Sequence, residues 1–164
     1  MIDFETEGIL APFAGMFKRV QVFDNSARLE LKRSILTEQG HQEAMQEIRS
    51  WPEWRATPLV SLAAIAERCE LQSLWYKDES SRFGLGSFKA LGGAYAVLRV
   101  LQREILRQTG REASSEDLRS GSFQDITRGV TVTTATDGNH GRSVAWGAQM
   151  FGCRCVIYIP YSCS

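Results

Sequence analysis

Histidine is scarce in this 164-residue chain, which has only His41 and His140. A histidine-rich metal centre is therefore excluded. The four cysteines do not replace it: Cys153 and Cys155 are two apart, which is not zinc spacing. On a strand those two share a face, and Cys69, Cys153, Cys155 and Cys163 read as reduced, mostly buried thiols. An excess of either charge is also missing. Nineteen basic side chains balance nineteen acidic ones, which gives no footing for nucleic acid or an anionic membrane. No apolar run approaches the roughly 20 residues of a membrane span. The opening "MIDFETEGILAPF" carries acids where a secretory signal needs lysine or arginine. These absences lead to the expectation of a globular, cytoplasmic protein that binds no metal.

The remaining pattern is that of an α/β protein. Residues 1–36 read as an irregular arm, followed by a helix from about Gln42 that Pro52 ends. An extended Thr57-Pro58 leads into a short helix, and "SLWYK" at 73–77 reads as a strand. From about Phe88 to Arg107, Leu91, Tyr95, Leu98, Leu101 and Ile105 recur every three or four residues, the period of one buried helical face. Ser87 is a natural N-cap for that helix. The polar stretch 108–129 reads as a surface excursion or a short extra helix. "VTVTTAT" at 130–136 is a β-branched strand, residues 139–152 a helix with small residues on one side, and "CRCVIYIP" at 153–160 a strand too apolar for an edge. Strand and helix alternate, which predicts a parallel sheet with flanking helices, with residues 1–50 as arm and helix and 51–164 as the α/β core. In such sheets ligands sit beyond the carboxyl ends of the strands.

Two loops occupy that position. The first, "SRFGLGSFKALGGAY" at 81–95, places four glycines around Lys89. It has neither the order of a P-loop nor the third glycine of a dinucleotide fingerprint. A lysine in the first turn of a helix, at the positive end of the dipole and in a partly dry crevice, is disposed to act as an amine nucleophile. Taken alone, it reads first as a solvated helix lysine; the glycine context and the second loop change that. The second loop, "TATDGNHGRS" at 134–143, offers Thr136, Asp137 and Asn139 side chains, with Gly138 and Gly141 allowing close approach of a ligand. The N–H groups of the helix start suit an anion such as an amino-acid carboxylate, though an Asp-Gly turn followed by a cap has the same pattern.

Together "SFKALGGA" and "TDGNHG", with "TPL" at 57–59 ahead of them, resemble the fold-type II pyridoxal-phosphate enzymes. That family includes serine/threonine dehydratases, threonine synthase, cysteine synthase and the tryptophan synthase β subunit. "YKDESSRFGLGSFKALGGAYAV", "TVTTATDGNHGRSVAWGAQMFGCRCVIYIP" and "WPEW" at 51–54 are more narrowly similar to the diaminopropionate ammonia-lyases. The resemblance spans roughly 50–160 and is least clear over 108–128. It implies an incomplete tryptophan synthase β-like architecture and pyridoxal 5'-phosphate as cofactor. Lys89 would form the Schiff base, Phe88 would wall the cofactor, and Asn139 would bond its ring hydroxyl. Thr136, Asp137, Gly138, Asn139 and His140 would receive the substrate. Asp137 facing a lone carboxylate would be repelled by about 4 kcal/mol at 4 Å and an effective dielectric of 20. A second substrate amine, which 2,3-diaminopropionate has, reverses that sign, and the resemblance gives Asp137 an acid–base role.

The reaction so implied is α,β-elimination of 2,3-diaminopropionate to pyruvate and ammonia by a homodimer. The family's phosphate-binding glycine loop comes later in its chains, so the expectation for these 164 residues alone is little or no activity. The competing readings are another fold-type II eliminase such as a serine/threonine dehydratase, an inactive remnant, or a module that binds a partner subunit. Asp78 or Glu79 paired with Arg82 would hold the lysine loop, and Trp51, Trp54, Trp75 and Trp146 read as core or interface.

Overall fold

The computed structural model describes residues 36–161. The arm read over 1–36 lies outside them except for its last position. Helix α1 spans Glu38–Arg49. It starts earlier than its apolar pattern suggests because Thr37 caps it, its hydroxyl accepting from the Gly40 N–H at 3.0 Å. Trp51 follows, fully buried in the core.

Strands β1 (Leu59–Ser61) and β2 (Trp75–Lys77) pair antiparallel, with Leu59 opposite Lys77 and Ser61 opposite Trp75. The short helix α2 (Ala63–Arg68) connects them. The ribbon is extended by Leu62 N–H on the Leu74 carbonyl and Asp78 N–H on the Pro58 carbonyl. β1 had no separate signal in the sequence beyond the extended Thr57-Pro58. Its pairing takes β2 out of the parallel layer in which strand–helix alternation places it.

Helix α3 (Lys89–Thr109) is the longest element, about 32 Å at 1.5 Å per residue. Leu98, Leu101 and Ile105 are fully buried as expected, joined by Ala90, Ala94 and Val97. Gly110, in the left-handed region at φ 68°, ends it and returns its N–H to the Leu106 carbonyl. The polar stretch that follows takes the second of its two readings, a short extra helix, twice over. It folds into α4 (Ser115–Arg119), opened by a reciprocal Ser114–Asp117 capping box, and α5 (Gln124–Thr127). Ala113, Leu118 and Thr127 are buried against the rest.

Strand β3 (Thr131–Ala135), helix α6 (Asn139–Phe151) and strand β4 (Arg154–Tyr158) form a βαβ unit. The strands are parallel, with Thr131 opposite Arg154 and Ala135 opposite Tyr158. Val132, Cys155 and Ile157 pack on the helical core, whereas Val156 and Tyr158 are on the exposed face. Among the described residues β4 pairs only with β3, so the apolar strand expected inside a sheet has one open side. Cys153 and Cys155 share the inner face, both half-buried. Burial, with Cys155 nearby, pushes the Cys153 thiol up to about 11. Cys69 departs from expectation and is exposed.

Candidate active site

The lysine loop runs from Asp78 to Phe88, between β2 and α3. Asp78 opens it, its carboxylate accepting from the Ser80 N–H at 3.0 Å; these Ser80 hydrogen bonds hold the carboxyl below its ordinary range. The anchor is Arg82, only 6% exposed. Its guanidinium donates to both Glu79 oxygens, to the Arg55 carbonyl and to the Thr57 hydroxyl. Thr57 in turn donates to Glu79, and the Lys77 amine donates to the Thr57 carbonyl. Every buried polar group here has a partner, which is the condition for a buried ion pair to be tolerated. Arg82 first, then Thr57 and Lys77, hold the Glu79 carboxyl down at about 2. Glu79 is thus the partner of Arg82, while Asp78 makes a local turn. Beyond Arg82, Phe83, Gly84 and Gly86 all take left-handed backbone, at φ 46°, 67° and 66°.

Lys89 is the first residue of α3. Its N–H donates to the Ser87 hydroxyl at 3.2 Å, so Ser87 serves the helix start although Phe88 occupies the cap position. The Lys89 side chain is exposed and its amine has no hydrogen bond or ion pair among the described residues. Phe88 beside it is 63% exposed.

The second loop leaves the carboxyl end of β3. Thr136 is half-buried, its N–H on the Tyr158 carbonyl at 2.9 Å. Asp137, Gly138, Asn139 and His140 are exposed. Gly138 caps α6 with no side chain to satisfy the helix start, and space around its α-carbon is open. Asn139 is therefore the first helical residue and not a cap, and no cap side chain accepts from the leading N–H groups of α6.

Helix packing brings the loops together. Ser143, fully buried on α6, donates to the Lys89 carbonyl at 2.6 Å. One turn on, a β-carbon on Gly93 would lie 2.7 Å from the Ser143 β-carbon; farther along, one on Gly147 would lie 2.7 Å from the Ala94 α-carbon. The contacts progress in the same order along both helices. α3 and α6 therefore run in the same sense with their N-termini at one end. The small residues seen on one side of α6 are this contact. Gly141 lets the helix start lie against Thr136 and Ile157. The sequence reading missed Thr57 and Ser143 as site supports. "TPL" contained the first; nothing local marks the second.

Of the four tryptophans, Trp51 is core and Trp146 half-buried against Phe83, while Trp54 lies under the Arg49 guanidinium. Trp75 is exposed on β2. Among the described residues no cluster of His, Cys, Asp or Glu could hold a metal ion, and no helix is long and apolar enough to cross a membrane.

This arrangement has known counterparts. The diaminopropionate ammonia-lyase of Salmonella typhimurium is 40% identical over 121 residues, 74% of this chain and 30% of that protein. The Escherichia coli K12 enzyme of the same name is 41% identical over 111 residues, 65% of this chain and 26% of its own length. Two crystal structures of the Escherichia coli lyase superimpose with TM-scores of 0.63. One is the holo form, at 38% identity over 75% of this chain and 30% of that one; the other, in complex with D-serine, is at 40% identity over 73% and 30%. The chain thus spans about 30% of the length of the relatives it matches. The sequence pattern of one enzyme family covers residues 51–164, both loops and the helices that join them included, and the chain belongs to that family, the pyridoxal-phosphate dependent enzymes.

Proposed function

We propose that this chain carries the lysine and the substrate-carboxylate loop of an ammonia-lyase that eliminates ammonia from 2,3-diaminopropionate. The complete activity is assigned to a protein of the relatives' length. The observation that carries the reading is the Ser143–Lys89 contact, which ties the backbone of the lysine with an unpartnered amine to α6 about one turn from its uncapped start. The residues present fit pyridoxal 5'-phosphate. An amine without an ion-pair partner is open to an aldehyde carbon, and the exposed Phe88 ring offers a flat apolar wall beside it.

Bound pyridoxal phosphate supplies an aldehyde carbon for the amine and a ring that takes up the electron pair left at the substrate Cα. Lys89 would hold the cofactor through its amine and, when free, would be the base on one face of Cα. The Asn139 amide would bond the ring hydroxyl. The leading N–H groups of α6, with Thr136, Gly138, Asn139 and His140 around them, bind the substrate carboxylate. Asp137 attracts the second ammonium and holds or moves a proton at Cα from the other face. Overall, one diaminopropionate and one water give pyruvate and two ammonia molecules. A cytoplasmic homodimer is the assembly proposed for the complete enzyme, on resemblance alone.

A second reading, elimination from a hydroxy amino acid, is favoured by the D-serine complex of the Escherichia coli neighbour. Asp137 discriminates: Asp137→Ser in a protein of the relatives' length should impair the diamine far more than serine. For the 164-residue chain the test is incubation with pyridoxal phosphate, borohydride reduction and peptide mapping. Selective labelling of Lys89 is expected. Labelling spread over Lys18, Lys32 and Lys77, or none, would overturn the assignment.

A further inference from the structure

We propose that Phe83 is a positioning residue for Lys89, acting through a ring stack on Trp146; the proposal rests on the Lys89 assignment above. Phe83 holds a backbone conformation, φ 46°, that a bulky side chain rarely adopts. Glycine takes it freely, and the loop already uses glycine at 84 and 86 for similar angles. A phenylalanine persists there because its ring is buried. It stacks on Trp146, centroids 4.8 Å apart and planes 30° apart, with Trp51 tilted against it at 6.1 Å. Trp51 also touches Trp146 and Phe151 edge-on, so the cluster is continuous with the core.

The partner's location gives the stack its consequence. Trp146 belongs to α6, the helix that begins at Asn139. The lysine loop is therefore tied to α6 twice. Its early part is tied by Phe83 on Trp146, and its end by the Lys89 carbonyl on Ser143. Between the ties, a β-carbon on Gly84 would meet nothing within 4 Å, so that glycine gives the loop no packing of its own. Arg82, one residue before Phe83, attaches instead to Arg55 and Thr57, on the segment leading into β1. Adjacent side chains thus bind the loop to two separate parts of the structure. The stack is the ring contact that ties its early part to the helix that carries the carboxylate loop, with Leu85 packed on the same core. Removing the ring should leave α6 in place and let residues 84–89 shift against it.

The test uses the full chain with Phe83→Gly, which relieves the backbone and deletes the ring, Phe83→Tyr, which keeps the ring, and Trp146→Leu. Two readouts are taken: amide hydrogen exchange without cofactor, and the ratio of Lys89 to Lys77 labelling by pyridoxal phosphate and borohydride. Phe83→Gly and Trp146→Leu should speed exchange over 84–89 by about tenfold or more, leave Val144–Phe151 protected, and lower the labelling ratio. Phe83→Tyr should restore both. Unchanged loop exchange in Phe83→Gly overturns the proposal. So does release of the loop and α6 together, which would make Phe83 an ordinary core residue. If the unsubstituted chain shows no preference for Lys89, the cofactor assignment fails, and exchange over 84–89 still decides whether the stack holds the loop.

Discussion

Gly92 and Gly93 are neighbours in α3, and alanine at each should act in opposite directions. At Gly92 an added β-carbon meets nothing within 4 Å. The substitution should therefore show only the helix-propensity gain, about 0.5–1 kcal/mol. At Gly93 the same carbon would lie 2.2 Å from the Ser143 hydroxyl and 2.7 Å from its β-carbon, with the Val144 amide nitrogen at 3.3 Å. Turning the hydroxyl away does not relieve the β-carbon contact, and it breaks the bond to the Lys89 carbonyl. Ser143 is fully buried and cannot swing out. Overpacking costs about 1–3 kcal/mol and the lost hydrogen bond about 1 kcal/mol, against the propensity gain of about 1 kcal/mol. The net is a loss of about 1–3 kcal/mol. For a chain of this size each kcal/mol moves Tm by about 2–4 °C. Thermal unfolding followed by circular dichroism should place Gly92→Ala above the unsubstituted chain and Gly93→Ala below it. A Gly93→Ala protein with equal or higher Tm would refute the close α3–α6 contact, and with it the placement of Lys89 beside the second loop.

Arg82→Ala strands the Glu79 carboxylate and frees the Arg55 carbonyl, and should cost about 3 kcal/mol in urea unfolding. The Glu79 carboxyl is held at about 2, below its unfolded range. Its contribution is therefore complete above about pH 4.5 and is lost as pH falls towards 2. Glu79→Gln should flatten the fall of Tm across that window, and an unchanged slope would contradict the pairing. The Cys153 thiol, raised to about 11 by burial, should alkylate with iodoacetamide at pH 8 far more slowly than exposed Cys69, as peptide mapping would show.

Residues whose role depends on chain neighbours were legible in the sequence. The apolar period of α3 located Leu98, Leu101 and Ile105 before any contact was known. The β-branched run and the glycine after α6 marked β3 and the helix end. Residues whose role depends on distant partners were not. Leu59–Ser61 is too short to show alternation and becomes a strand only through its partner at 75–77. The pairing of Arg82 with nearby Glu79 could be read, but its bonds to distant Arg55 and Thr57 could not. Ala113, Leu118 and Thr127 sit in a polar stretch whose few inward positions have no regular period. At the site, both glycine-rich loops were visible, but their juxtaposition rests on Ser143, which only the helix crossing reveals.

The bond from Ser143 grips Lys89 by its backbone carbonyl and leaves the four-carbon stem alone. The anchoring and the travelling parts of this residue are thus separate. The exposed amine can reorient by rotamer exchange, which takes picoseconds to nanoseconds. That movement leaves the bond to Ser143 intact, whereas a lysine held by its ammonium would have to break an ion pair to move. The reach of the amine is therefore set by its own side-chain torsions, above a helix contact that stays fixed.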